Sequence, residues 1–251
     1  MPESNPPEWV RCVVCLCLSL PALCAAEERD SRLLNLKAGH LVVNPSLRVR
    51  ETYDSNIFLT KVDPEHDWIT VAAPGLDLDF DSERFRADVS YLAEFLRFAR
   101  NREQDSVQHF LRGGFQVRPG RLHFGTHGTF QLTSDPISLV LTPRIEIEQD
   151  SLTGNAGVDW ERFSIDLSGT RRNFDIHAEG FDFLDYDQEE IALAAGWKLT
   201  DHMRLIANLL GGWTDYKEDV KNDYTFQEYA VGAHWTPSDH FGIRADVGFR
   251  R

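Results

Sequence analysis

Residues 85–95, FRADVSYLAEF, decide the fold class of this chain. Apolar or small side chains fill the odd positions from Phe85 to Phe95, and polar side chains fill every even position except Leu92. Successive side chains of a β-strand point to opposite faces of the sheet, so a period of two indicates a strand with one apolar and one polar face. The stretch therefore predicts a strand that lies between an apolar and an aqueous environment.

The same alternation recurs along the chain in segments of about ten residues, the length of a strand that crosses an outer membrane. These segments are 41–51, 68–80, 85–95, 107–117, 121–132, 163–172, 189–199, 203–214, 225–235 and 241–250. After residue 26, no apolar stretch is long enough for a transmembrane helix. The pattern predicts an all-β fold, an up-and-down antiparallel transmembrane β-barrel of about 10–11 strands.

The region 133–160 is ambiguous because it contains two alternations of opposite parity, 137–147 and 152–160. A loop followed by one bulged strand explains the change of parity and is the preferred interpretation. Two short strands are the alternative, which would change the strand count by one.

The connections between the segments alternate in length. Short ones lie at 81–83, 118–120, 161–162, 200–202 and 236–240, and longer ones at 52–66, 99–106, 133–143, 173–187 and 215–224. Outer-membrane barrels have short periplasmic turns, long external loops and aromatic side chains at the membrane interfaces. Phe80, Trp160, Trp197 and Trp235 flank short connections. A soluble β-domain would show similar alternation, but it is less favoured because its loop lengths are usually not segregated in this way.

Residues 1–26 are typical of a signal peptide. The apolar run 12–24 is too short to span a bilayer, and small residues allow cleavage after Cys24 or Ala26. Lipidation of Cys24 is disfavoured because Leu23 precedes it. The predicted organisation is a signal peptide at 1–26, a periplasmic segment at 27–40 and an outer-membrane barrel at 41–251. All four cysteines lie in the leader, which excludes disulfides and thiolate sites from the mature chain.

Composition and motifs argue against several functions. The net charge is −14, and it stays negative at −13 without the leader, which argues against nucleic-acid binding because that needs a basic face. His123 and His127 would share a strand face at about 13 Å, too far apart for one metal ion. No G-x-S-x-G motif is present, and the acidic run Asp182, Asp185, Asp187, Glu189 and Glu190 lacks the pattern of a twelve-residue calcium loop. We expect no enzyme activity, no catalytic, cofactor-binding or metal-binding residue, and no cofactor.

Charged side chains occupy the polar positions of the predicted strands, where they would face the barrel lumen. They are Arg48, Arg50, Arg84, Arg86, Asp88, Glu94, Arg112, Arg162, Asp166, Arg172, Lys198, Arg204, Glu228, Arg244 and Asp246. One interpretation is a network of salt bridges that braces the barrel, since buried charges must be paired. The other is a wet, zwitterionic channel for a polyanionic or neutral glycan. The first is favoured on the sequence alone.

Four stretches resemble the opening of the β-barrel porin 2 family. They are ETYDSNIF at 51–58, DWI at 67–69, PGLDLDF at 74–80 and RFRADVSY at 84–91, and the resemblance extends over roughly 40–250. It implies an outer-membrane location in contact with lipid and lipopolysaccharide. It also implies a role in exporting exopolysaccharide or capsular polysaccharide, together with polysaccharide and export machinery as partners. It brings no catalytic residues.

Three functions are therefore expected, in decreasing order: polysaccharide export, general diffusion through an open porin, and a structural barrel with a closed, salt-bridged lumen. If the long loops are external, residues 241–250 would rise towards the outside. Outer-membrane barrels close on a strand that descends, so we expect a C-terminally truncated sequence that lacks at least one closing strand.

Overall fold

A computed structural model describes residues 15–17, 34–60, 62–134, 145–218, 223–238 and 241–251. The strands are β1 (Cys15–Cys17), β2 (Leu36–Ala38), β3 (Leu41–Asp54), β4 (Asp67–Asp81), β5 (Phe85–Phe98), β6 (Ser106–Val117), β7 (Leu122–Thr133), β8 (Ile147–Asp159), β9 (Phe163–Ile176), β10 (Tyr186–Thr200), β11 (Met203–Tyr216), β12 (Tyr224–Ser238) and β13 (Phe241–Arg250). All thirteen belong to one antiparallel sheet, in which β2 to β13 follow one another in chain order. The predicted fold class, an all-β up-and-down architecture, is confirmed.

The described strands form an open sheet. β2 lies at one edge and β1 at the other, where Cys15–Cys17 pairs with Arg244–Asp246 of β13. The rest of the predicted signal peptide, including its cleavage positions, lies outside the described residues. The predicted segment 27–40 ends in β2, which pairs with the start of β3. In the described part of the chain, the helical segments are two three-residue turns, Arg102–Gln104 and Asp182–Leu184, and neither could cross a membrane.

The eleven long strands, β3 to β13, follow the predicted ones in order, but most extend further at their long-loop ends. β9 continues to Ile176 and β10 begins at Tyr186, beyond the alternating segments 163–172 and 189–199. The hydrogen-bonded backbone ladder continues in these extensions. The apolar alternation stops there because the outward side chains are charged. Arg171 and Asp187, for example, form an ion pair of 3.4 Å on that surface.

The ambiguous region contains one regular strand. Every residue from Ile147 to Val158 pairs in register with β7, and the same stretch pairs in register with β9, so β8 has no bulge. The change of parity in the sequence arises because Ile147 is an apolar residue buried on the polar face of the sheet, whereas Leu152 is exposed on the apolar face. Residues 135–144, which hold most of the first alternation, lie outside the described part.

One face of the sheet is apolar and exposed along its whole width. Leu152, Val231 and Trp197 are 58%, 58% and 56% exposed, and similar side chains continue across the other long strands. Aromatic rings pack beside the short turns, with centroid distances of 5.6 Å for Phe80–Phe85 and 5.7 Å for Trp160–Phe163. An apolar surface of this extent is rare on a soluble monomer.

The opposite face is polar over most of its area, but a small apolar core lies at its long-loop end. Ile57, from the loop between β3 and β4, is only 1% exposed and packs with Phe58 on the polar face. The strand residues beneath it are Ile69, Val71, Leu96 and Phe98. Part of the long connection at 52–66, which is mostly polar in sequence, thus contributes to an apolar core. The loop is held in place by hydrogen bonds, including Ile57 N–H to the Glu65 carbonyl at 2.9 Å.

Three long loops are closed at their base by an aspartate that directly precedes the returning strand. Asp105, Asp185 and Asp223 each accept a hydrogen bond of 2.8 Å from a backbone N–H at the end of the preceding strand. The donors are Phe98, Ile176 and Tyr216, respectively. We call these three residues the aspartate clamps. The bond from Phe98 N–H lowers the pKa of Asp105, whereas burial raises the pKa of Asp185.

Replacing Asp105 by Ala should loosen the base of its loop. The charged acceptor of the Phe98 N–H is lost, which costs about 2 kcal/mol of local stability. In the full chain carrying Asp105→Ala, we expect faster amide hydrogen exchange at Phe98. Glu103→Ala, an exposed change in the same loop, should leave the local opening free energy at Phe98 within about 0.5 kcal/mol of wild type. Unchanged exchange in Asp105→Ala would contradict the clamp.

The same bond should depend on pH. Because the folded-state pKa of Asp105 is lowered, its stabilising contribution is present above the ordinary aspartate pKa of about 3.9. It is lost as the pH falls through the lowered pKa, where the carboxylate becomes protonated. Exchange at Phe98 in the wild type should then approach that of Asp105→Ala, which itself should show no such transition.

Candidate functional site on the polar face

The polar face is formed by the even positions of β3, β5, β6 and β9–β13 and by the odd positions of β4, β7 and β8. Of the fifteen charged residues proposed from the sequence, thirteen occupy such strand positions. The remaining two, Arg84 and Arg162, lie in the short turns before β5 and β9. Other charged or titratable residues on this face were not among the fifteen, although most alternate with apolar neighbours in the same way. They include Asp77, Asp79, Asp81, Glu190 and His234, whereas His123 lies on this face as expected from the sequence.

Three polar contacts reach across an entire intervening strand. Arg48 of β3 pairs with Glu94 of β5 at 2.6 Å, over the buried Ala73 of β4. Neighbouring strands are about 4.8 Å apart, so a contact between second neighbours must pass above the strand between them. A small residue at the crossing position leaves the space for it.

Glycines allow the other two crossings. His123 of β7 contacts Asp166 of β9 at 2.6 Å over Gly157. Arg204 of β11 donates a hydrogen bond of 2.5 Å to Ser164 of β9. Its guanidinium lies against Gly196 of β10, where a Cβ atom would collide with it.

Further ion pairs join neighbours on the same face. They are Arg86–Asp81 at 2.9 Å, Arg172–Glu190 at 2.9 Å, Arg244–Asp246 at 2.7 Å and Lys198–Asp201 at 3.1 Å. Most of these side chains are substantially exposed, and ion pairs of this kind contribute about 0–1 kcal/mol each. They orient side chains more than they stabilise the sheet.

The network of ion pairs is incomplete. Seven of the fifteen residues form no ion pair within 4.0 Å with another described residue. They are Arg50, Arg84, Asp88, Arg112, Arg162, Arg204 and Glu228. Like charges are also opposed directly across strands, as in Asp79–Asp88 and Lys198–Arg204. Opposed like charges are destabilising, which makes water or counter-ions necessary beside them.

The histidines and acidic residues singled out in the sequence do not form one site. His123 contacts Asp166 and Asp159, whereas His127 lies four residues further along β7. The acidic run before and within β10 is divided among separate contacts: Asp185 closes a loop, Asp187 pairs with Arg171, and Glu190 pairs with Arg172 on the polar face. Among the described residues, no group of three His, Cys, Asp or Glu side chains could hold a metal ion.

Basic side chains converge at the short-turn end of β9 to β13. Arg162, Lys198, Arg204 and Arg244 come together there with His234. A cleft of about 320 Å³ lies among them, lined by all of these except Arg244 and also by Ser164 and Thr236. Sequence parity placed the four Lys and Arg residues on one face, but only the strand register reveals that they are neighbours.

The crossing contact over Gly157 can be tested with a matched pair of variants. A Cβ at Gly157 would collide with the His123 ring and the Asp166 carboxylate, whereas a Cβ at Gly154 on the same strand meets nothing within 4 Å. Gly157→Ala should therefore lower the free energy of unfolding by about 1 kcal/mol or more, as the His123–Asp166 bond is displaced. Gly154→Ala should change it by less than about 0.5 kcal/mol. Urea unfolding of the full chain in lipid vesicles measures both, and equal effects would argue against the crossing contact.

Solved structures with similar architecture are outer-membrane proteins. OmpT of Vibrio cholerae shares 9% identity at a TM-score of 0.48, with coverage of 86% of this chain and 88% of that one. An outer membrane channel from Pseudomonas putida F1 shares 11% identity at a TM-score of 0.43, with coverage of 89% and 98%. The CymD monoaromatic hydrocarbon channel shares 9% identity at a TM-score of 0.37, with coverage of 86% and 80%. No protein-family model and no curated protein matches the chain. The similarity concerns architecture, and no substrate is transferred from it.

Proposed function

We propose that this chain is an outer-membrane β-barrel protein whose polar face lines a water-filled channel, and that it assists the export of exopolysaccharide or capsular polysaccharide. The observation that carries the channel is the incomplete pairing of charges on the polar face. The proposal of polysaccharide as cargo is supported by the resemblance to the β-barrel porin 2 family and by the chemistry of that face.

The exposed apolar face supports a membrane location. Side chains such as Leu193 and Val231 would be costly in water but favourable against acyl chains. The long strands have 10–15 residues, and a strand of about 9–11 residues tilted by about 45° crosses the hydrocarbon core. Lipid and lipopolysaccharide would cover this face. The signal peptide at 1–26 would direct the chain across the inner membrane.

Charge pairing separates a channel from a structural barrel. A closed, salt-bridged lumen would require a partner for each buried charge, because an unpaired ion in a dry interior costs several kcal/mol. Arg50, Asp88 and Arg112 are exposed and form no ion pair with described residues. Hydrated charges of both signs suit a wet lumen, which reverses the preference drawn from the sequence alone.

Hydroxyl groups and aromatic rings on the polar face support a glycan as cargo. Cross-strand hydrogen bonds join Thr129 to Ser151 at 2.8 Å and Thr153 to Thr170 at 2.9 Å, forming a neutral hydrophilic band on β7 to β9. Closer to the long loops, the rings of Phe174 and Tyr186 stack with centroids 5.3 Å apart. Rings and hydroxyls together can contact both the apolar and the hydroxylated surfaces of a sugar. A general diffusion porin, the second candidate, would need only the wet lumen.

Two measurements test the proposal. The purified full chain should conduct ions in planar lipid bilayers, and a bilayer that stays silent would exclude both the export channel and the diffusion porin. Deletion of the gene should reduce surface polysaccharide, with recovery when the wild-type gene is supplied in trans. Unchanged surface polysaccharide, with the neighbouring export genes intact, would rule out the export role and leave diffusion as the function of a conducting barrel.

A further inference from the structure

A row of basic side chains lies across four neighbouring strands, β10 to β13, and the turn before β9, at the short-turn end of the polar face. Lys198 is paired with Arg204, Arg204 with His234, and His234 with Arg244. At the start of the row, the Lys198 N–H donates to the Arg162 carbonyl at 2.8 Å. With about 4.8 Å between strands, these side chains are direct lateral neighbours. Such a row is unfavourable unless negative charge compensates it.

Internal carboxylates compensate the row only in part. Arg244 pairs with Asp246 at 2.7 Å, and Lys198 pairs with Asp201 at 3.1 Å, although Asp201 is 88% exposed. Asp159, at the edge of the cleft, is directed to His123 at 3.3 Å. Among the described residues, Arg162 and Arg204 have no carboxylate within 4.0 Å.

Arg204 is held in a position that leaves part of its guanidinium available. Its Nη2 donates to the hydroxyl of Ser164, which is only 5% exposed, and its planar group lies over Gly196. A guanidinium has five N–H donors in a rigid fork, so one neutral contact leaves donors free for an oxyanion. The side chain is thus oriented before any ligand arrives, which lowers the entropic cost of binding.

The cleft beside these residues has a volume of about 320 Å³. This is the lower end of the range for small-molecule sites, about 300–1,000 Å³. Ser164 and Thr236 add hydroxyl groups to its wall, and Trp160 and Phe163 add aromatic surface. Glu161 also lines the cleft and opposes anions there.

We propose that this cleft is a binding site for anionic groups, carboxylates or phosphates, carried by a sugar-sized solute. Arg162 and Arg204 would contact the oxyanion, while Lys198 would add positive potential and His234 a hydrogen bond. This proposal rests on the proposed function only where it places the cleft on a transport path. At the short-turn end, the site would meet solute on the periplasmic side.

Calorimetric titration of the full chain in detergent tests the site without requiring conduction. The probes are trigalacturonate, which carries carboxylates, inorganic phosphate, and neutral maltotriose as a control. We expect trigalacturonate to bind at least about tenfold more tightly than maltotriose, with phosphate competing for the same site. Arg204→Gln and Arg162→Gln should each weaken trigalacturonate binding by about tenfold, the loss expected for one charge-assisted contact.

Two further variants act as controls for charge and folding. Arg118→Gln removes one positive charge from a different short turn and should leave trigalacturonate binding unchanged. Glu161→Gln should strengthen it, a gain that a misfolded protein could not produce. Equal binding of trigalacturonate and maltotriose, or insensitivity to both Arg162→Gln and Glu161→Gln, would overturn the site.

The outcome separates this inference from the proposed function. Charge-dependent binding by a protein that is silent in bilayers would refute the channel and retain the site. Conduction without charge-dependent binding would retain the channel and refute the site. If phosphate alone bound, and trigalacturonate did not compete with it, the inference of a sugar-sized anionic solute would be wrong.

Discussion

The fixed spacing of the antiparallel ladder is the constraint on which the other features of this molecule depend. Each strand keeps its neighbours about 4.8 Å away and directs alternate side chains to opposite faces. One face can then be apolar while the other carries charges, without any helix or packed core. The same spacing limits which polar residues can meet, because a contact between second neighbours must cross a strand. Ala73, Gly157 and Gly196 are small for that reason.

The polar face is stabilised locally and left open elsewhere. Crossing contacts such as Arg48–Glu94 and His123–Asp166 each link three neighbouring strands. Residues such as Arg112 and Glu228 form no ion pair with a described residue. A face whose charges were all paired would hold less water. A face whose charges were all unpaired would be destabilised by repulsion between like charges. The observed mixture is consistent with a wall that keeps its shape and remains hydrated.

Much of the fold could be predicted because a period of two is a local property. Phe85 to Phe95, for example, reveals both the strand and its two faces without any tertiary information. The bulge suggested for 133–160 does not occur in β8, because the parity change there arises from Ile147, an apolar residue buried on the polar face. The burial of Ile57 on the polar face was equally unpredictable from the sequence. Nothing in a polar loop indicates that one isoleucine folds back onto β4 and β5.

The candidate site was predictable only as a set of residues on one face. The parity of Lys198, Arg204 and Arg244 follows from alternation, but their adjacency depends on the register of three strand pairs. His234 was overlooked, although its alternation with Ala233 and Trp235 places it on the polar face. The register itself is set by short turns, whose pairing includes shifts near Lys198 and Trp235 that the sequence did not indicate.

The aspartate clamps have a consequence for how the loops of this protein can evolve. Each clamp joins the end of one strand to the start of the next, so the register is fixed at the base of the loop and not by its tip. Residues between the clamp and its donor can then vary in length and composition without disturbing the sheet. The loop surface is thereby uncoupled from the sheet that carries it. Such a chain can acquire new loop surfaces while its sheet stays the same.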